Sequence, residues 1–429
     1  MHTVSRTRDP KPSGTRCARF VALGQVRHGI RDLPGSDRRE GARARAAVRY
    51  RRFRRQNTGP VPGCEGTRPP MPSLTHDAVI DAMRTVQEPE LGRDLITLDM
   101  VKNVVIDGMA LSMTIELTTP ACPLKDEIER TTNAALAAIG ATSVDIAWGA
   151  MVRRSQPRQA EQLVPGVKNI IAVASGKGGV GKSTVSVNLA VALAQAGAAV
   201  GLLDADITGP NIPLMLGLEG QPTASANNKI SPLERYGVKA ISIQFFVPEG
   251  QPIVWRGPLV GGAIQQFLRD VDWGDLDYLV IDLPPGTSDA QLTLAQAVPI
   301  SGAVLVTTPQ EVSLSDVGKA LAMFRRMSVP VLGLVENMTA FVCPHCGDVT
   351  EIFGHGGGER FAATHDLEYL GGIPLDITVR QGGDVGVPAV AQREPGPAGR
   401  AMTTIAQLVA ARMSVRAAQA ASQPVLTIS

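Results

Sequence analysis

The run Gly176–Thr184, GKGGVGKST, is the stretch whose residue types and spacing speak most directly of chemistry. Gly176-Lys177-Gly178-Gly179-Val180-Gly181-Lys182-Ser183 matches G-x-x-x-x-G-K-[ST], and Thr184 follows it. Glycines let successive backbone N–H groups curl around phosphate oxygens without Cβ clashes. Lys182 can neutralise terminal phosphates, and the Ser183 hydroxyl can ligate Mg²⁺. A helix starting here points its N-terminus at the anion. The expected ligand is ATP with Mg²⁺, and the expected chemistry is hydrolysis. The competing reading is a glycine-rich structural turn.

Acidic residues complete the constellation. Leu202-Leu203-Asp204-Ala205-Asp206 places two carboxylates at the end of an apolar run. Asp206 can orient an attacking water, and either Asp can reach Mg²⁺, unless both serve only as caps or solvated charges. Asp282 ends Tyr278–Ile281 as a Walker B carboxylate would, and Pro284-Pro285-Gly286-Thr287 follows. A glycine there can donate its N–H to a γ-phosphate and move when that phosphate leaves. Lys177 comes too early to share the pocket of Lys182. It can reach a nucleotide in a partner subunit, as an arginine finger does, or simply be solvated.

The second chemical feature is Cys343-Pro344-His345-Cys346-Gly347, a C-x-x-C followed by glycine. Such a knuckle presents two thiolates to one metal centre, whereas zinc and iron–sulfur centres take four ligands. A symmetric dimer sharing one centre satisfies the count. The alternatives are a half zinc-ribbon completed by His345 or His355, a redox pair, or a loop without metal. Cys122 precedes a helical pattern, where the helix dipole lowers a thiol pKa. It can accept or relay a metal, or be a buried structural cysteine. Cys17 and Cys64 receive no role.

These residues need a scaffold, and 429 residues suffice for two domains. A composition of 44% hydrophobic and only 4% aromatic residues suits an Ala/Val/Leu-rich α/β protein. Apolar runs stay short of the roughly 18 residues of a membrane span. Five irregularly spaced cysteines do not form a disulfide framework, so a reducing, cytoplasmic setting is expected. The net charge of +2 hides an asymmetry. Residues 1–70 hold 16 Arg and one Lys against five acidic residues, a balance of +12. The remainder, with 25 basic and 35 acidic residues, stands at −10, which argues against nucleic-acid binding by the folded body.

Residues 1–70 lack period and are expected to be a disordered extension, or untranslated sequence ahead of Met71; a nucleic-acid arm or transit peptide is the other reading. Residues 71–150 read as a small α/β domain. It has a helix from Ala78 to Val86, strands Ile96–Val105 and Met109–Leu117 around an Asp107-Gly108 turn, helix Leu124–Ile139 and a strand from Ser143 to Trp148. Residues 151–168 look like a linker. From 169 to 412 apolar strands (Ile170–Ala174, Ala199–Leu203, Tyr278–Ile281, Ala303–Thr307, Val331–Val335) alternate with helices. The helices are Ser183–Gln195, Gly262–Asp270, Ala290–Ala297 and Ser315–Met327, with a closing one near 397–418. This predicts a P-loop domain, a mostly parallel sheet covered by helices on both faces. Residues 413–429 are expected to be a tail.

Taken in order, GKGGVGKST, DADITGPNIP (204–213), WRGP (255–258), LVIDLPPGTSDAQLT (279–293), VTTPQEVSLSD (306–316), VENM (335–338) and CPHCG (343–347) strongly resemble Mrp/ApbC-type iron–sulfur cluster carriers. IFGHGGGERFA (352–362) and GGIPLD (371–376) continue the match, and TTPACP (118–123) resembles the cysteine motif of a small domain often fused ahead. The resemblance covers about 167–390 closely. Its one small departure is Thr287-Ser288-Asp289, which varies a position usually held by glycine.

The resemblance implies a deviant Walker A ATPase of the MinD/ParA class, a homodimer holding a labile [4Fe–4S] cluster between two CxxC motifs. It would pass the cluster to apo iron–sulfur proteins, alongside assembly scaffold proteins and without a membrane partner. It further implies Lys177 as the signature lysine, Lys182 as the Walker lysine, Ser183 and Asp282 at Mg²⁺, Asp206 as the catalytic switch carboxylate and Asn337 at adenine. Lys177, Lys182 and Asp206 are thus the expected catalytic residues, and Cys343 and Cys346 the expected cluster ligands. Two rivals are a positioning ATPase of the same fold, and an ATPase whose CxxC holds structural zinc.

Overall fold

The computed structural model describes residues 73–155, 163–206, 209–225, 228–247, 257–286, 291–292, 295–296, 298–343 and 345–422, with side chains of 257–260 and 420–422 excepted. The basic extension with Cys17 and Cys64, Trp255-Arg256 and Thr287-Ser288-Asp289 lie outside the described residues, as does half of the helix expected at Ala290–Ala297.

The small domain opens with α1 (His76–Met83), capped by Thr75, whose Oγ1 accepts from Ala78 N. Strands β1 (Val101–Asp107) and β2 (Ala110–Leu117) pair antiparallel, with Asp107 opposite Ala110. The turn is therefore Gly108-Met109, entered through Gly108 at φ +65°. Helix α2 (Lys125–Ala138) carries the chain to β3 (Ser143–Ala150), parallel to β2. The first strand starts at Val101 and not at Ile96, because Asp99 takes φ +59° and turns the chain. Leu95, Leu98 and Met100 are nonetheless buried, so that stretch is apolar without being extended. Val79, Met83, Ile115, Ile128 and Leu136 fill the centre of this domain.

The larger domain is a nine-stranded sheet among the described residues. Its strands are β4 (Val167–Ser175), β5 (Val200–Asp204), β6 (Leu233–Arg235), β7 (Val238–Ser242), β8 (Leu276–Asp282), β9 (Gly302–Thr307), β10 (Val331–Val342), β11 (Val349–Thr350) and β12 (Tyr369–Leu375). The order is β6-β7-β5-β8-β4-β9-β10-β11, with β12 on β10. Only the β6–β7 and β10–β11 pairs are antiparallel.

The central strands are apolar on both faces because both faces are covered. Along β4, Ile171 and Val173 join one core, while Ile170, Ala172 and Ala174 join the other. The first core packs α3 (Lys182–Gln195) and α9 (Pro397–Ser422). The second packs α5 (Gly257–Asp270), α6 (Glu311–Arg326) and α7 (Gly357–Thr364), with Phe324 fully buried. Burying one such side chain contributes about 1.5–3 kcal/mol. Helix α3 is apolar nearly all round, since the sheet covers one side and α9 the other. Two short helices, α4 (Ile212–Leu216) and α8 (Ile377–Val385), pack together beyond the strand ends.

The boundary expected at 412/413 falls inside α9. Met413, Ser414 and Ala417 are buried, because the apolar stripe of that helix runs on beneath the small domain. The chain thus has a small α/β domain followed by a P-loop fold with a mostly parallel sheet between helices.

Candidate functional site

The phosphate loop joins the end of β4 to α3, with Gly179 at φ +82° and Gly181 at φ +84°. Gly181 is the N-cap of α3 and offers no side-chain cap, so the first-turn N–H groups are free to face an anion. A side chain at Gly176 would run into the backbone of Asp316 and Val317, and one at Gly181 into the Asn337 amide. Lys177, Lys182, Ser183, Thr184, Asp206 and Asn337 all line one cavity of about 490 Å³, together with α4 and α8.

Asp282 anchors the polar side of this cavity. Ser183 Oγ donates to its Oδ2 at 2.6 Å, Ser186 Oγ to its Oδ1 at 2.6 Å, and Lys182 Nζ lies 2.8 Å from Oδ2. Lys182 is only 6% exposed and also lies 3.6 Å from Asp206 Oδ2. The Ser183 hydroxyl and the Asp282 carboxylate are hard oxygen donors side by side, a set that fits Mg²⁺. Ser186 is a partner of Asp282 that motif spacing alone does not reveal.

Asp204 has a different role from its neighbour. It is fully buried, accepts from Ser242 Oγ at 2.9 Å and from Asp206 N at 3.2 Å, and so braces the turn that presents Asp206. Burial first, and then the charge of Asp282, push its carboxyl up to about 8. Either Asp was expected to be able to reach the metal; this one is turned inward. The Gly286 N–H, expected to reach a γ-phosphate when one is bound, donates here to Ser175 O at 3.0 Å at the end of β4. Lys177 is half-buried at the cavity wall, and its ammonium makes no ion pair among the described residues.

Asn337, expected at adenine, lines the cavity and is also tied to the phosphate loop. Its Nδ2 donates to Val180 O at 2.9 Å, and its Oδ1 accepts from Met338 N at 3.0 Å. It braces the phosphate loop from β10.

The same strand carries the cysteine pair. Phe341 and Val342 face Thr350 and Val349, so Cys343 stands at the tip of the β10–β11 hairpin. Cys343 N donates to Asp348 O, and Gly347 N to Cys343 O, both at 2.9 Å. Cys346 is exposed and Cys343 partly so. The Cys346 backbone N–H first, then that of His345 and the Cys346 thiol, hold the Cys343 thiol below its ordinary range. Among the described residues, no third His, Cys, Asp or Glu joins the pair to make a metal site. His355 is instead paired with Glu351 at 2.6 Å.

Of the two readings of Cys122, the structure favours the buried structural cysteine. Burial pushes its thiol up to about 11, against a lowering backbone N–H from Leu124 and with Glu90 and Glu88 adding to the rise. Burial and acidic neighbours outweigh the helix N-terminus. Its loop is docked on the larger domain, for Ser414 Oγ donates to Thr118 O at 3.1 Å and Tyr278 Oη to Thr119 Oγ1 at 3.2 Å. Tyr278 lies near the start of β8, whereas Cys343 follows the end of β10. The two cysteine loops therefore lie at opposite ends of the sheet.

A glycine loop closing on a helix N-terminus, a buried lysine and a strand-end aspartate define a P-loop nucleotide-binding protein. Residues 166–410 match the family described as NUBPL iron-transfer P-loop NTPase, and residues 76–147 match the iron–sulfur cluster assembly protein family. The chain belongs to the NUBPL-type iron-transfer P-loop NTPases. It is 49% identical over 350 residues to the iron–sulfur cluster carrier protein of Synechocystis, covering 80% of this chain and 99% of that one. It is also 49% identical over 265 residues to the iron–sulfur cluster transfer protein NUBPL of Mus musculus, covering 61% and 82%. Among solved structures it is similar to a nucleotide-binding protein in complex with ADP from Archaeoglobus fulgidus. That pair has 44% identity, a TM-score of 0.49 and coverage of 55% of this chain and 92% of the other. No helix among the described residues is long and apolar enough to cross a membrane.

Proposed function

We propose that the chain is an ATP-dependent iron–sulfur cluster carrier in which two copies each contribute Cys343 and Cys346 to one [4Fe–4S] cluster, later handed to apoproteins. The observation that carries this reading is the exposed thiol pair at a hairpin tip, its first thiol acidified by backbone N–H groups. One chain supplies two ligands, and a symmetric pair of chains supplies four.

Nucleotide control follows from population shift. ATP favours one geometry of the dimer, and that geometry sets how tightly the shared thiolates hold their cargo. Lys182 binds the terminal phosphates, and Ser183 and Asp282 hold Mg²⁺, which supplies charge neutralisation at the phosphates. Asp206, presented by Asp204, orients the attacking water. Lys177, unpaired within its own chain among the described residues, reaches the partner's nucleotide.

Anaerobic reconstitution with iron and sulfide tests the reading. The expected product is coloured and holds about two iron atoms per chain, as one four-iron cluster per two chains requires. A Cys343→Ala/Cys346→Ala double variant should hold none. Equal iron in both would sink the carrier assignment. Zinc in a colourless protein would favour a structural knuckle.

A further inference from the structure

The strand that bears Cys343 also touches the phosphate loop, and its path between the two is irregular. Glu336 on β10 is buried and held from two sides. Gly358 N donates to its Oε1 at 2.6 Å and Tyr369 Oη to its Oε2 at 3.2 Å. One residue on, Asn337 is tied to Val180 O at 2.9 Å, in space that Gly181 leaves open. Met338 then takes φ +60°, a left-handed conformation that strains a non-glycine residue. The pairing with β12 shifts across this point. Asn337 faces Ile373 while Phe341 faces Leu375, so four steps along β10 match two along β12. Beyond the irregularity, Phe341 and Val342 enter the hairpin that ends at Cys343.

We infer that Asn337 and Met338 are positioning residues that transmit the state of the phosphate loop to Cys343; this rests on the reading above that nucleotide controls the grip on the cluster. Val180 belongs to the loop that wraps the phosphates, so a shift of its carbonyl pulls on the Asn337 amide. The strand cannot yield at Glu336, which is clasped by two donors. It yields after Asn337, where the ladder is already broken and Met338 stores strain. The hairpin then turns as a unit, which changes how far the partly exposed Cys343 thiol is open to solvent. A regular strand would have to break ladder hydrogen bonds to do the same.

The test is the alkylation rate of Cys343, resolved by peptide mass spectrometry on the full chain, with and without MgATP saturating for each variant. The wild type should show a several-fold ratio between the two conditions. Met338→Val cannot hold the left-handed conformation, because its branched side chain clashes, and the ratio should fall to unity. Asn337→Ala, cutting the other end of the link, should do the same. Met338→Asn tolerates that conformation and should keep the wild-type ratio. A wild-type ratio in Met338→Val or Asn337→Ala overturns the inference, and so does a lost ratio in Met338→Asn. A wild type without nucleotide dependence overturns instead the reading of nucleotide control on which the inference rests.

Discussion

Lys182 and Asp282 form a buried ion pair, 2.8 Å between Nζ and Oδ2, with the Ser183 and Ser186 hydroxyls completing the carboxylate's shell. The lysine is thus paired with the residue expected at Mg²⁺. Phosphate and metal must divide this pair between them. Lys182→Ala removes a charge-assisted contact to phosphate, and ATP affinity should fall about 10–100-fold. Titration with a fluorescent ATP analogue checks this, and unchanged affinity would remove Lys182 from the phosphate site.

Lys177 should behave differently. Its ammonium has no carboxylate partner among the described residues, so its loss removes no internal ion pair that they form. If it serves the partner's nucleotide, Lys177→Ala should keep ATP binding and lose turnover by on the order of 10³-fold, as removing a trans-acting cation does elsewhere. Phosphate release under saturating ATP measures this. Normal turnover would end the trans-acting role.

How far this site could be read from residues alone depended on whether a role is local. The phosphate loop is local: strand, glycines, lysine and helix follow one another within Ile170–Gln195, and the chain folds that way. The alternation of apolar strands and helices made the covered parallel sheet legible for the same reason. The tie from Asn337 to the phosphate loop was not legible, because its partner, Val180, lies 157 residues away and only the folded sheet brings them together. Cys122 stayed open between a relay thiol and a buried structural cysteine because its position before a helix is visible in sequence while its burial is not. The burial of Met413 and Ala417 was not legible, because it comes from packing that spacing does not show.

The two cysteine environments predict opposite pH behaviour. The thiolate is the reactive form, so a thiol with a raised pKa stays protonated and slow until high pH. Cys122, at about 11, should alkylate slowly at pH 8 and gain about tenfold per pH unit up to its pKa. Cys343, held below the ordinary thiol range, should level off at a lower pH. Peptide-resolved alkylation across pH 6–11 on metal-free protein reads both, under the approximate range that these thiols require. Coincident profiles would show that burial and the knuckle's N–H groups do not control these thiols.

The contact between the two domains gives the last prediction. Tyr278 and Thr119 are both fully buried, and the Tyr278 hydroxyl donates to Thr119 Oγ1 at 3.2 Å. Burial lifts the phenol far above its ordinary pKa, so it stays a donor throughout the accessible pH range. Tyr278→Phe keeps the ring that packs in the larger core and deletes only this hydrogen bond. Thr119 Oγ1 still accepts from Ala121 N at 3.3 Å, which limits the loss. The expected cost is about 1 kcal/mol, or a fall in Tm of about 2 °C. Because Tyr278 lies at the start of β8 and Asp282 at its end, ATP affinity should not change. Calorimetry with a parallel ATP titration separates the effects. A melting temperature equal to wild type would mean that this bond does not hold the Cys122 loop on the larger domain. A lost affinity would mean that the docking reaches the phosphate site through β8.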